Sequence, residues 1–328
     1  MLKQLPWLVV RSPLFAAVVS KLERFDTPQP NLLRILTYHR LESPALFAVQ
    51  MQHLASHYQV VSMTDLLAAY QQGKALPPRA VLLTFDDAYA DFAGQAWPIL
   101  QQYHLPVTLF VPTAFPDHPE RLFWWDRLYA ALQQTRQRDP LATPIGSLPL
   151  ATAPQRTQAY KRLRDYVKSL PHTTAMPWVE QCCQALGEPE QYNDVLSWET
   201  LRQLAHAGVT LGAHTQTHPL MNRITPDAMY AEAVGSLRDL EEKIGDVAPV
   251  FAYPSGGFNQ AAVNVLDQAG FALAFTTVRG LNPIPAAHKL CLRRINVGAR
   301  TNLSLLRSQL LARSVILNRC WPLALEHS

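Results

Sequence analysis

Short apolar runs alternate with longer amphipathic stretches over most of the chain. Runs at 33–37, 59–62, 80–84, 107–111, 209–213, 250–252 and 273–276 predict strands. Helical periodicity predicts helices between them, including 47–57 and 65–72, the latter with Thr64 as N-cap because a Thr hydroxyl can accept from a free first-turn amide. Alternating strand and helix units imply a parallel sheet. Polar, ligand-type residues cluster just after several apolar runs, so the expectation is an α/β barrel whose site lies on the face made by the strand ends.

Between residues 115 and 195 the pattern changes. Residues 123–128 begin a helix-like run with Trp124 and Trp125, 141–154 are rich in Pro, Ala and Thr, and 155–170 are charged and helical in character. No strand signal interrupts this stretch, which predicts a mainly helical insertion at about 116–195 that covers the barrel mouth or contacts a long substrate. The tryptophans suit either packing or stacking on a sugar ring, packing being the commoner use at a helix start. A further helix is predicted over 303–316, with basic residues on its polar side.

Two segments carry the chemistry. The run 80–83 leads into Thr84-Phe85-Asp86-Asp87-Ala88-Tyr89, which sets adjacent carboxylates where a buried strand ends. Neighbouring ionised carboxylates repel and burial penalises each, so the pair needs a cation or a shared proton, unless it merely caps the next helix. Some way downstream, 209–211 lead into Gly212-Ala213-His214-Thr215-Gln216-Thr217-His218. Two imidazoles four residues apart can converge on one point, and with an Asp from another strand end they complete a three-ligand catalytic metal set.

The string TFDDAY, the later HTQTH and the stretch Phe251-Ala252-Tyr253-Pro254-Ser255-Gly256-Gly257 resemble the first three motifs of the polysaccharide deacetylases, the NodB-homology group of carbohydrate esterases. The likeness covers roughly residues 33–298 apart from the insertion. It implies a distorted (β/α)7 barrel. It also implies that Asp87, His214 and His218 hold a divalent metal, zinc first, with Co²⁺, Ni²⁺ or Fe²⁺ also suited to such a set. By the same resemblance Asp86 is the general base, and the third motif, Tyr253, Pro254 and Ser255, faces the substrate, the Ser255 amide donating to the oxyanion.

The chain departs from the family pattern at three places. The Arg that opens the third motif is Ala252 here, and Arg294 is the expected substitute. The fourth motif's Asp and Trp have no match. The fifth motif's His, the general acid, is also missing; His39, after the first strand, is the best replacement by position and His288 a poorer one. Without an acid, Asp86 itself would return the proton to the leaving amine.

Composition narrows the partners. The chain has 328 residues, 48% of them hydrophobic, enough for one large domain or two smaller ones. Twenty-nine basic against twenty-five acidic side chains give +4, which with no Lys/Arg run argues against nucleic acid. Cys182, Cys183, Cys291 and Cys320 lack metal-knuckle spacing and read as ordinary thiols. At the N-terminus the apolar runs 5–10 and 14–19 are broken by Arg11 and Pro13, too short to span a membrane and without a clear signal-peptide cleavage site. Residues 1–30 therefore read as a helix packed on the domain or as an amphipathic segment on a membrane surface, Lys21 and Arg24 suiting the latter. The expected division is an N-terminal segment 1–30, a barrel 31–300 and a C-terminal helix and tail 301–328, in a cytoplasmic or membrane-peripheral setting.

Two functions of different class fit. One is a metal-dependent hydrolase removing N-acetyl from an amino sugar in a polysaccharide, lipid-linked glycan or glycolipid, with a formamido-sugar deformylase as a variant. The other is a non-catalytic glycan-binding protein with a degenerate site, motivated by the missing fourth and fifth motifs.

Overall fold

The computed structural model describes residues 7–312. Seven parallel strands close on themselves: Leu32–Tyr38 (β1), Ala80–Phe85 (β2), Thr108–Val111 (β3), Thr210–Ala213 (β4), Val250–Ala252 (β5), Leu273–Arg279 (β6) and Leu292–Asn296 (β7). They pair in chain order, and β1 pairs with both β2 and β7, so the barrel has no open edge. Two short pairs flank it: Gln59–Val60 runs parallel to β2, and Asn282–Pro283 antiparallel to β1. The α/β barrel with seven strands is therefore as expected, although β7 carries no strong apolar run and sequence patterning alone had not delimited it.

Strand alternation divides the core in two. Leu33, Ile35, Ala80, Leu82, Phe110, Val250, Phe275 and Leu292 fill the barrel interior. Leu32, Leu36, Val81, Leu83, Leu109 and Phe251 face outward and pack under the surrounding helices. On the inward face of β2 the sequence passes from Leu82 to Thr84 and, just past the strand, to Asp86, and on β7 from Leu292 to Arg294. Period two thus places Asp86 and Arg294 on the polar cap of an apolar plug.

Local details differ from the sequence expectation in three places. The helix Met63–Gln71 is capped by Ser62, not Thr64: Ser62 Oγ accepts from the Asp65 amide at 3.1 Å while Asp65 Oδ2 accepts from the Ser62 amide at 3.1 Å. That reciprocal box satisfies two orphan amides, where Thr64 alone would satisfy one. The insertion carries the helices Trp124–Gln134, Ala153–Ser169 and His172–Leu186, but also an antiparallel hairpin, Leu141–Thr143 with Gly146–Leu148. Three-residue strands are too short to register as alternation, and Leu141 and Leu148 turn inward to the insertion's own core with Leu163, Val179 and Cys183. The C-terminal helix is Leu303–Leu310, and the backbone turns extended at Leu311, short of the predicted end at 316; residues 313–316 of that span, and Cys320, lie outside the described residues.

The helix Pro13–Arg24 is pinned to this C-terminal helix. Arg307 donates to Glu23 and, at 3.0 Å, to Ser20 Oγ, and Asn302 Nδ2 donates to the Val10 carbonyl at 3.2 Å. Its opposite face is bare, with Leu14 75% and Phe25 61% exposed beside exposed Val18 and Leu22. Among the described residues no helix is long and apolar enough to cross a membrane.

Candidate active site and metal centre

Every motif sits where a barrel strand ends. After β2 the chain turns sharply, Asp87 and Ala88 taking left-handed backbone at φ 72° and 51°. Such conformations are uncommon for non-glycine residues and are kept where surrounding contacts fix them. Here the Asp86 amide donates to the Tyr38 carbonyl at 2.9 Å, and the Leu196 amide, at the insertion's exit, to the Ala88 carbonyl at 2.9 Å. The loop after β4 is held from behind by two carboxylates of the helix Pro226–Ile244. Glu232 accepts from the Gln216 and Thr217 amides at 2.8 and 2.9 Å, and Asp239 accepts from Gln216 Nε2 at 2.8 Å and Thr113 Oγ1 at 2.5 Å.

These turns bring Asp87, His214 and His218 together, all three buried, with ligand atoms within 4.8 Å of one another. His214 Nδ1 lies 2.7 Å from the Ala252 carbonyl, which can only accept, so in the neutral imidazole the proton sits on Nδ1 and the Nε2 lone pair faces inward. That Nε2 is 3.4 Å from Asp87 Oδ1, and His218 Nε2 is 3.3 Å from the same oxygen. Asp87 Oδ1 is buried without a hydrogen-bond partner. A lone-pair nitrogen aimed at an orphaned carboxylate oxygen repels it, and a cation between the three atoms turns that repulsion into ligation. The donor set therefore fits a divalent metal.

Electrostatics agree with an ionised carboxylate pair. Burial by itself pushes Asp87 up, but the two histidines outweigh it and hold the carboxyl well below its ordinary range. Burial likewise acts against Asp86 and is overcome by the Arg294 guanidinium, with smaller help from His214 and His39, so Asp86 stays below its usual value. Burial lowers His218; for His214 the same effect is outweighed by Asp87 and Asp86, which raise it.

Arg294 reaches Asp86 from β7 as a two-pronged pair, Nη1–Oδ1 and Nη2–Oδ2 both 2.7 Å, with both side chains almost wholly buried. Its Nε donates to the Thr276 carbonyl at 2.8 Å. His39 Nε2 stands 3.8 Å from Asp86 Oδ2 and is 37% exposed. His288 points elsewhere, its Nδ1 accepting from the Leu290 amide at 3.2 Å.

The third motif divides. Tyr253 is wholly buried, its hydroxyl donating to the Leu290 carbonyl at 3.1 Å, so its ring supports the loop and does not reach the cleft. Pro254 is buried beside it, and Ser255 adopts φ 50°, ψ 15°, which swings it to the cleft wall. Gly256 must be glycine: its φ is +69°, and a Cβ there would meet Thr277 Oγ1 at 1.8 Å.

A cleft of about 230 Å³ opens over these residues, lined by His39, Asp87, His218 and Ser255 on one side and by Trp125, Tyr160, Arg164 and Lys168 on the other. The second group comes from the insertion. Trp125 packs edgewise on His218 with centroids 4.6 Å apart, and its Nε1 donates to the Tyr89 hydroxyl at 3.1 Å. Tyr89 in turn donates to Asp126 at 2.9 Å and lies under the Arg40 guanidinium, 3.6 Å from its ring centre. Trp124 turns toward the insertion core instead. Tyr160, Arg164, Lys168, Glu232 and Asp239 escaped the sequence reading. The signal they carry is i, i+4 spacing in the first three, with nothing local to say that this helix face meets a site.

Comparison with known proteins agrees with this architecture. The profile of the family described as polysaccharide deacetylase matches residues 73–274, and the chain belongs to that family. A putative polysaccharide deacetylase of Bacillus subtilis, YxkH, is 20% identical over 262 residues, covering 77% of this chain and 67% of that protein. The poly-beta-1,6-N-acetyl-D-glucosamine N-deacetylase of Escherichia coli K12 is 36% identical over 87 residues, 24% of this chain and only 13% of that protein's length. Among solved structures, the Streptococcus pyogenes deacetylase PplD in complex with acetate superposes at TM-score 0.57 with 20% identity, covering 87% of this chain and 99% of that one. IcaB from Ammonifex degensii gives 0.54 with 19% identity, covering 86% and 97%. At these identities the superpositions speak for the fold.

Proposed function

We propose that the protein is a metal-dependent hydrolase that removes the N-acetyl group from an amino sugar of a polysaccharide, lipid-linked glycan or glycolipid. The observation that carries this reading is the pairing of a buried Asp87–His214–His218 donor set with a second carboxylate, Asp86, held separately by Arg294. When bound there, a divalent cation, zinc by preference, supplies Lewis acidity toward the acyl oxygen and toward water.

The side chains supply the rest. Asp86 removes the proton from the attacking water. Arg294 keeps it ionised and fixes its plane, which lowers its basicity but guarantees its charge at neutral pH. The backbone amide of Ser255, a residue of the cleft wall, donates to the oxyanion. The leaving amine takes its proton from His39, 3.8 Å from Asp86 Oδ2 and open to solvent, or from Asp86 after it has been protonated. Trp125 and Phe123 pack on His218 and keep water from its outer face.

The reading extends to the N-terminal segment. The stripe of Leu14, Val18, Leu22 and Phe25, flanked by exposed Lys21 and Arg24, lies on an anionic lipid surface and brings the cleft to lipid-linked substrate. Co-sedimentation with anionic vesicles, lost in Leu14→Ser/Phe25→Ser, tests that part.

Acetate release from N-acetylglucosamine oligomers, with and without added Zn²⁺, tests the enzyme. Release that depends on metal and falls in Asp86→Asn supports it. Formate release from a formamido sugar without acetate release would shift it to a deformylase. A metal-loaded protein that binds glycan equally well as Asp86→Asn and turns over no N-acylated sugar would make it a binding protein.

A further inference from the structure

The insertion wall of the cleft carries charge that the deacetylation of a neutral sugar does not use. On the helix Ala153–Ser169, Tyr160, Arg164 and Lys168 recur every four residues, share one face and all line the cleft opposite Asp87 and His218. Lys168 Nζ crosses to the barrel and donates to Ser255 Oγ at 3.2 Å, a neutral partner, and among the described residues it forms no ion pair. Among the described residues Arg164 is matched by its exposed sequence neighbour Asp165 alone, which accepts from Nε and Nη2 at 3.0 and 2.7 Å.

Asp87 is the carboxylate that lines the cleft, and those near it are committed elsewhere. Asp87 belongs to the metal donor set, Asp86 is paired with Arg294, and Asp126 accepts from Tyr89 and Arg40. Two cations one helical turn apart repel each other, and partial burial of Lys168 adds a solvation cost. A divalent cation in the site below would add to the same positive potential. Such a cleft concentrates anions, and it leaves unused binding strength unless the substrate brings a negative charge.

We propose that Arg164 and Lys168 form an anion subsite that selects N-acylated amino sugars bearing a phosphoryl or carboxylate group beside the reacting amide. The proposal rests on the deacetylase reading for the sugar and the amide, and on the insertion alone for the charge. Tyr160, on the same helix face, supplies a ring against which the sugar lies while the anion bridges the guanidinium and the ammonium.

Equilibrium binding to the zinc-loaded full chain tests this without requiring turnover. The probes are N-acetylglucosamine, N-acetylglucosamine 1-phosphate and N-acetylmuramic acid, which separate neutral, phosphoryl and carboxylate arms. At least one anionic sugar binds about tenfold or more tightly than the neutral one, and the preference shrinks by about tenfold in Lys168→Met and in Arg164→Met. Lys161→Met, which removes the same charge from the exposed side of the same helix, keeps the preference. Equal binding of all three sugars would overturn the subsite. So would a preference retained in both Met variants, which would locate the anion on the metal. Acetate assays on the same sugars separate the two readings: a charge preference in binding without any acetate release sinks the deacetylase and leaves the subsite, whereas release from all three sugars without a charge preference in binding does the reverse.

Discussion

The two walls of the cleft are built on different principles. One is made of strand ends in a closed barrel, where Asp86, Asp87, His214 and Arg294 are nearly inaccessible to solvent and all but Asp87 are fixed by a backbone or charged partner. The other is made of helices with a hydrophobic core of their own, formed by Leu128, Leu148, Leu163 and Val179, which reach the cleft through half-exposed long side chains. The first wall suits the proposed chemistry, because buried charges hold their geometry and their ionisation. The second suits the proposed recognition of substrate, because its residues can change without disturbing the barrel. The walls meet at Tyr89, which belongs to the Asp-Asp turn yet bonds to Trp125 and Asp126 of the insertion.

This contrast sets the order of expected effects. The largest belongs to the chemical wall: Asp86→Asn lowers kcat by roughly 10²- to 10⁴-fold while zinc stoichiometry, read by metal analysis, stays at wild type. Loss of zinc in that variant would merge the two jobs assigned to the carboxylate pair. Next comes Arg294→Met, which leaves Asp86 buried and unpaired and costs about 3–5 kcal/mol in denaturant unfolding. The double variant Asp86→Asn/Arg294→Met recovers most of that loss, since neither charge is then stranded; no recovery would mean Arg294 matters for packing instead.

Smaller effects are expected on the other wall. Leu163→Ala opens a cavity in the insertion core and costs about 2–5 kcal/mol there, while the Asp87–His214–His218 site still takes up zinc. Equal loss of zinc would show that the walls are one cooperative unit. The smallest effect lies away from both, where the terminal helices meet. Burial works to raise Glu23, but its bonds to His53 and Arg307 prevail and bring it down from an ordinary 4.5 to about 2. A folded value below the unfolded one means stability present above about 4.5 and lost as pH falls toward about 2. Glu23→Gln flattens that part of the stability profile, and an unchanged acid slope would remove the clasp from the account.

The same contrast explains what the sequence made legible. Asp86-Asp87 and His214 to His218 are short, contiguous strings after apolar runs, so chemistry and position coincide within a few residues. Arg294 is accessible only through resemblance, because its strand closes the barrel on β1 from the far end of the chain and has little apolar signature. Tyr160, Arg164 and Lys168 look like an ordinary solvated helix face; only tertiary placement turns that face toward the site. Tyr253 failed in the opposite sense: it sits in a recognisable motif, but its ring is taken up by the core. The Ser62 cap and the 141–148 hairpin were lost to competition between neighbouring hydroxyls and to strands shorter than the period needed to detect them.

Strand ends, and not the insertion, carry the proposed metal-dependent deacetylation. The most direct measurement is acetate release from an N-acetylated amino-sugar oligomer by metal-stripped protein titrated with Zn²⁺. The account predicts that activity rises to a plateau at one equivalent per chain, and that His218→Ala neither binds the ion nor releases acetate. Acetate release from the stripped protein undiminished by chelator, or full activity in His218→Ala, would contradict it.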